Sequence, residues 1–270
     1  MSDQRYEFLA SRVGRVISRM GKFFPGSHVV FRGKDLHADL REIDWVELYA
    51  FGITGRRFTD DQVAMLHAMW THTSFPDVRL WNNRVAALAA SSRSTPALGM
   101  SAALAVSEAT IYGANPCVRS IDFLRQARRR TDAGESLDAV VDEELAQRRI
   151  YGYGRPIILV DERLPWLRQM ARERHCDDGA HYLLAFRIEE ILTRRDARLK
   201  MNYAALVAAL AADFGFTPRE FHHFQIPMLL AGMAPCFIEA DDEPEGSLLP
   251  VPCEDIAYEG CAPRPWPRDA

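Results

Sequence analysis

Tyr151-Gly-Tyr-Gly-Arg-Pro156, followed by Asp161-Glu-Arg163 and Leu167, is the stretch on which the reading of this chain turns. Two glycines and a proline between 152 and 156 mark a sharp turn joining regular elements. The turn Gly152-Tyr-Gly154 is too short for a Gly-x-x-x-x-Gly-Lys phosphate loop, and no nucleotide fingerprint occurs elsewhere. Arg155 is a fixed cation with a planar fork, able to hold a carboxylate or oxyanion but unable to shuttle protons near neutrality. Arg163 is either a second anion-binding group or half of a structural ion pair.

Outward from this turn the chain reads as a succession of helices from Thr59 onward, with almost no strand-like alternation, so the class is all-α. Thr59-Asp-Asp-Gln62 and Thr217-Pro-Arg-Glu220 have the capping-box pattern, in which hydroxyl and N3 side chain satisfy orphan backbone N–H groups. The first opens a helix over Asp60 to Trp70. Asn115-Pro116 and Ser136 supply N-cap signals for helices near 117–130 and 137–149. Arg84 to Tyr112 is alanine-rich and apolar almost all round, which predicts a buried helix or helix pair. Val29 to Gly33 is the one expected short strand. From Asp241 the chain is rich in acidic residues and proline, predicting an extended arm over 241–270.

The 270 residues carry 33 basic and 37 acidic side chains, a formal charge of −4, so no overall positive field favours nucleic acid or an anionic membrane. No stretch approaches the length of a membrane span and no secretory leader is visible, so cytoplasmic residence is expected. Five separated cysteines form no C-x-x-C pair, and the adjacent His222-His223 cannot face one metal from one helix. No metal or redox cofactor is expected.

Four stretches in the same order resemble citrate synthases and the smaller citryl-CoA lyases. Phe31-Arg-Gly-Lys-Asp-Leu36, with Asp39-Leu40, Trp45, Glu47-Leu48 and Thr54-Gly55, resembles that family's opening. Tyr151 to Pro156 with Asp161-Glu-Arg163 resembles its "GfGHpvyk…DPRa" signature at nearly the same spacing. Asn202 to Phe216 overlays "NvDgaiaalLldlGf" without a gap, and Tyr258, Gly260 and Arg264 resemble its close. The resemblance implies an all-helical fold, a larger domain carrying a smaller lobe near 117–195, a homodimer, and a CoA thioester as ligand. The backbone of Tyr151, Gly152, Tyr153 and Gly154 would then face CoA.

The chemistry such a fold performs beside a thioester needs a carboxylate base, a histidine for the enolate and a histidine for the acceptor ketone. At the positions resembling these stand Ala204, Ile111 and Arg155. Arg163 resembles a carboxylate-gripping arginine, whereas Leu229 and Leu249 stand where two others would be. The expected substrate-facing set is therefore Arg163, Arg79, Ile111, Ala204 and Leu229. Phe75-Pro-Asp-Val-Arg-Leu-Trp-Asn-Asn-Arg84 lies where the resemblance implies a substrate-facing histidine and the start of a pocket helix; within it Asp77 is the best replacement base and Arg79 a candidate anion clamp, with a loop salt bridge between them as the structural reading. His72 stands near them. Two functions stay open: an acyl-CoA enzyme with altered catalytic groups, and a catalytically silent relative that binds a metabolite or partner.

Overall fold

The computed structural model describes residues 3–155 and 160–266. Helix α1 (Asp3–Ala10) precedes an antiparallel meander of β1 (Gly21–Phe24), β2 (His28–Phe31) and β3 (Lys34–Asp35), with Phe24 opposite His28 and Val30 opposite Asp35. The single strand expected at 29–33 is thus one of three. Its partners escaped the sequence because β1 is only four residues long and β3 two, too short to display a period. Arg32, at φ 51°, anchors this meander by donating to the carbonyls of Gly52 and Ile53 at 3.0 and 2.9 Å, at the end of α2 (Trp45–Thr54).

Both capping boxes form. Thr59 and Gln62 exchange bonds at the start of α3 (Asp60–Thr71), and Thr217 and Glu220 do so at α11 (Pro218–Gln225). Ser136 takes the N-cap position of α7 (Leu137–Gln147) without a side-chain cap bond. The start expected at Asn115-Pro116 is corrected: α6 runs Ala114–Asp132 behind Gly113, whose φ of 77° turns the chain into the helix.

The described residues pack around two cores. The larger joins α2, α3, α6, α7, α8 (Leu164–Glu173), α9 (Ala180–Arg195), α10 (Tyr203–Asp213) and α11, so the helices of the 117–195 segment share it with helices from both ends of the chain. Its axis is α10, where every residue from Ala205 to Ala212 is buried. Removing Leu206, Val207 and Leu210 from water contributes about 1.5–3 kcal/mol each. The smaller core joins α4 (Trp81–Ser91), α5 (Pro96–Val106) and α12 (Leu230–Asp242).

The alanine-rich stretch divides into α4 and α5, and its expected burial is only partly met. On α5 just Gly99 and Ala103 are buried, while Leu98 is 66% exposed and Ala97, Ala102 and Ala105 face outward. An apolar composition without a period states that a surface prefers cover; it does not state that this chain supplies the cover. Helix α12 extends to Asp242, so the irregular, exposed arm begins after it. No helix among the described residues is long and apolar enough to cross a membrane.

Candidate functional site

A cavity of about 340 Å3 opens between the two cores. Phe75, Leu80, Asn82, Met228 and Leu229 form its wall on the smaller-core side. Cys117, the turn from Tyr151 to Arg155, and Asn202 to Ala204 form the other.

Gly152 and Gly154 have φ of 92° and 79°, a region that side-chain-bearing residues rarely enter. A Cβ on Gly152 would meet Ala205 Cβ at 2.6 Å and Ser120 Oγ at 2.8 Å, so α6 and α10 approach across this turn because no side chain intervenes. The turn is strapped to the entry of α10. Gly154 N donates to Lys200 O at 2.7 Å, Asn202 N to Gly152 O at 2.9 Å, and Asn202 Nδ2 to Gly154 O at 2.9 Å. Asn202 Oδ1 meanwhile accepts from Ala204 N at 3.0 Å and caps α10. Two stretches some fifty residues apart thereby make one rim.

Beneath the rim lies a charge pair. Asp161, fully buried, accepts from Arg163 Nε at 2.8 Å and Nη2 at 2.7 Å, and from Tyr203 N at the first turn of α10 at 2.9 Å. Burial alone raises a carboxyl's pKa, but the Arg163 bonds and the Tyr203 N–H outweigh it and hold Asp161 below its ordinary value. The Arg163 guanidinium lies 4.4 Å over the Tyr203 ring, a cation–π contact that holds it against the wall. Among the described residues its Nη1 has no hydrogen-bond partner. Arg155 Nη1 donates to Val160 O at 3.1 Å and Glu162 Oε2 at 2.8 Å, and stands 3.9 Å from Asp161.

Opposite, the Asn82 amide is 3% exposed. Its Oδ1 accepts from the Tyr112 hydroxyl at 2.5 Å and from Asn83 N at 2.9 Å. Asn83 Nδ2 donates to Phe75 O at 3.0 Å and Asp77 O at 3.2 Å, tying α4 to the loop before it.

Burial holds three titratable groups of the cleft in their protonated state. Burial pushes Tyr112 and Cys117 each up to about 12 despite the lowering influence of Arg163. Burial raises Tyr203 as well. All three are protonated at neutral pH. The arrangement therefore offers hydrogen-bond donors and positive charge, and Tyr112, Cys117 and Tyr203 enter it as neutral groups.

Of the residues expected from sequence, Arg155, Arg163, Ile111, Ala204, Leu229, Tyr151, Gly152, Tyr153 and Gly154 all line this cavity. Asp77 and Arg79 do not. They close on each other, Arg79 Nε donating to both Asp77 oxygens at 3.0 and 2.9 Å, and that bond is the main cause of the lowered Asp77 pKa. The loop salt bridge forms, and the two side chains engage each other outside the cavity lining. His72 ends α3 behind the wall; burial first, then Arg163, lowers its pKa, and its buried Nδ1 has no partner. Leu249 is exposed on the arm and does not line the cavity. Pro156 lies outside the described residues.

Asn82, Tyr112, Cys117 and Arg149 line the cavity without having been singled out by sequence. Arg149 carried a signal, two residues before the glycine turn. Asn82 and Asn83 fall in the Phe75–Arg84 stretch expected to begin a pocket helix, though neither was named for a role. Among the described residues no group of three or more His, Cys, Asp or Glu is placed to hold a metal ion.

No protein-family model matches the sequence, and no curated protein matches it. Solved structures do. Citryl-CoA lyase from Hydrogenobacter thermophilus superposes with a TM-score of 0.81 at 20% identity, over 93% of this chain and 97% of that one. ATP citrate lyase from Methanothrix soehngenii, in complex with citrate and coenzyme A, gives 0.77 at 16% identity over 97% of this chain and 45% of its own. Citrate synthase from Thermoplasma acidophilum gives 0.64 at 16% identity over 83% of this chain and 59% of its own. The chain thus shares the mainly helical fold of these citryl-CoA lyase and citrate synthase structures.

Proposed function

We propose that this protein acts on a CoA thioester, making or breaking a carbon–carbon bond beside its carbonyl, from a site in which fixed cations and neutral donors stand where related folds keep proton-exchanging side chains. The observation that carries this is the rim: Gly152 and Gly154, held open by positive φ and strapped to α10, present backbone to an open cavity floored by Arg163. A relaxed core would have filled that space. The likeness to a citryl-CoA lyase and to a lyase bound to citrate and coenzyme A supports a thioester as the ligand class. Ile111, Ala204 and Leu229 all face the cavity, which supports the reading that the site is divergent and its second substrate less polar.

Binding without turnover is favoured by one observation: the cavity-lining Ile111 and Ala204, which stand where the sequence resemblance would place proton-exchanging groups, offer only apolar surface. On that reading the cleft is a metabolite receptor. In either case we propose a homodimer: the outward face of α5, with Leu98 at its centre and Ile238 of α12 exposed in the same layer, is apolar surface that the described residues leave uncovered.

Calorimetric titration with CoA, acetyl-CoA and longer acyl-CoAs tests the proposal. Micromolar binding that is lost in a folded Gly154→Val variant is expected; no binding of any thioester by the wild type overturns it. Incubating the same acyl-CoAs with a panel of oxo acids, and following both free-thiol release and the appearance of an intact hydroxyacyl-CoA adduct by mass spectrometry, separates the readings. Either product marks an enzyme, because carbon–carbon bond formation alone leaves the thioester intact; binding with neither marks a receptor.

A further inference from the structure

The geometry points to the class of molecule that shares this cleft with the thioester: a monocarboxylic acid bearing an oxo or hydroxyl oxygen and an apolar chain. The inference rests on the thioester reading for its setting, and on the cleft's own donors for its content.

The first donor is Asn82. A backbone N–H can only donate, so the bond from Asn83 N fixes which end of the Asn82 amide is oxygen, and the Tyr112 hydroxyl occupies that same oxygen. The amide NH2 is therefore the end left over. Asn82 is 3% exposed and lines the cavity, and among the described residues its Nδ2 has no hydrogen-bond partner. An amide donor on a side chain this buried gains a net hydrogen bond when a ligand oxygen meets it from the cavity. It is also neutral and held at its other end, which suits it to an uncharged oxygen that must be met at one place.

The second donor is Arg163 Nη1. The same guanidinium's Nε and Nη2 hold Asp161, and Tyr203 backs its face, so one N–H edge remains for a ligand. Asp161 already balances most of this cation's charge, while Arg155 is engaged by Val160 O and Glu162. The Arg163 floor accordingly suits one carboxylate, while the remaining lining cation, Arg149, lies by the glycine turn with its guanidinium 5.9 Å from the Tyr151 ring centroid. Between and beyond the two donors the wall is Phe75, Leu80, Met228 and Leu229. A second carboxylate against that wall would lose its water and gain no partner, whereas an aliphatic chain gains by burial.

The test is calorimetry on the full-length protein, with and without saturating CoA, using 4-methyl-2-oxopentanoate, pyruvate, oxaloacetate and 4-methylpentanoate. The branched oxo acid is expected to bind roughly tenfold or more tighter than pyruvate from its buried chain, and tighter than oxaloacetate. Deleting the oxo oxygen, as in 4-methylpentanoate, should weaken binding by roughly two- to tenfold. In Asn82→Ala that oxo preference should disappear while the chain-length preference persists. Asn82 also braces Tyr112, so the readout is the ratio between two ligands on one protein, which a partly unfolded sample does not alter. Asn82→Asp keeps the brace and is expected to remove the preference too, by placing an acceptor where the donor was. Oxaloacetate binding most tightly, or an oxo preference retained in both variants, overturns the inference. Thioester binding without binding of any monoacid overturns it alone; absence of both removes the thioester reading as well.

Discussion

Replacing Asp161 with asparagine keeps the shape of the side chain and removes its charge, leaving Arg163 beneath the cleft without a counter-ion. The new amide also presents a donor to groups that only donate, Arg163 and Tyr203 N. Removing one partner of a buried pair costs about 3–5 kcal/mol. The Arg163 side chain is 23% exposed and keeps some water, which places the expected loss near ~3 kcal/mol, the low end of that range. With a urea slope of about 3 kcal/mol per M, the unfolding midpoint should fall by about 1 M. The pH dependence gives a second reading of the same quantity. Asp161 is held below its ordinary 3.8 in the folded state, and an unfolded Asp titrates near about 3.9. A carboxyl lowered by folding stabilises above its unfolded pKa and loses that contribution as pH falls through the folded value. The gap between wild type and variant should therefore stay constant from about pH 5 to 7 and narrow below about pH 4. A midpoint shift under about 0.3 M, or a gap that does not change in acid, would refute the assignment of this pair as a structural pillar of the cleft.

Two further outcomes follow from the packing. Gly152→Ala should lower stability by about 1–3 kcal/mol, seen in thermal or urea unfolding, because the residue would hold φ of 92° and its Cβ would press on Ala205; an unchanged midpoint would contradict the close approach of α6 and α10. Leu98→Glu should shift the protein to a monomer by light scattering while changing the helical signal in circular dichroism little, since Leu98 is 66% exposed within one chain; a mass unchanged from that of the wild type would place the contact elsewhere.

The helices were legible where local chemistry speaks for itself. The capping boxes at Thr59 and Thr217 formed as read, because a hydroxyl and an N3 side chain satisfy neighbouring N–H groups without outside help. The rim was legible too, since glycines at 152 and 154 permit the backbone that both the turn and the close approach of Ala205 demand. Less was legible where burial decides. Arg84 to Tyr112 and Asn202 to Phe216 both look apolar throughout, yet α10 lies at the centre of the larger core and α5 lies largely at the surface.

Sequence by itself determined the class of fold, the turn, and the placing of apolar residues at 111, 204 and 229, because these depend on residue type and short-range order. Tertiary structure alone decided which charges are available. Asp77 and Arg79 satisfy each other, Asp161 commits two nitrogens of Arg163, and Asn83 pins the Asn82 oxygen so that its amide donor is the end left unpaired among the described residues. Whether a polar group serves a ligand or the fold depends on what else reaches it within about 3 Å, and that distance is set by helices that meet only when the chain has folded.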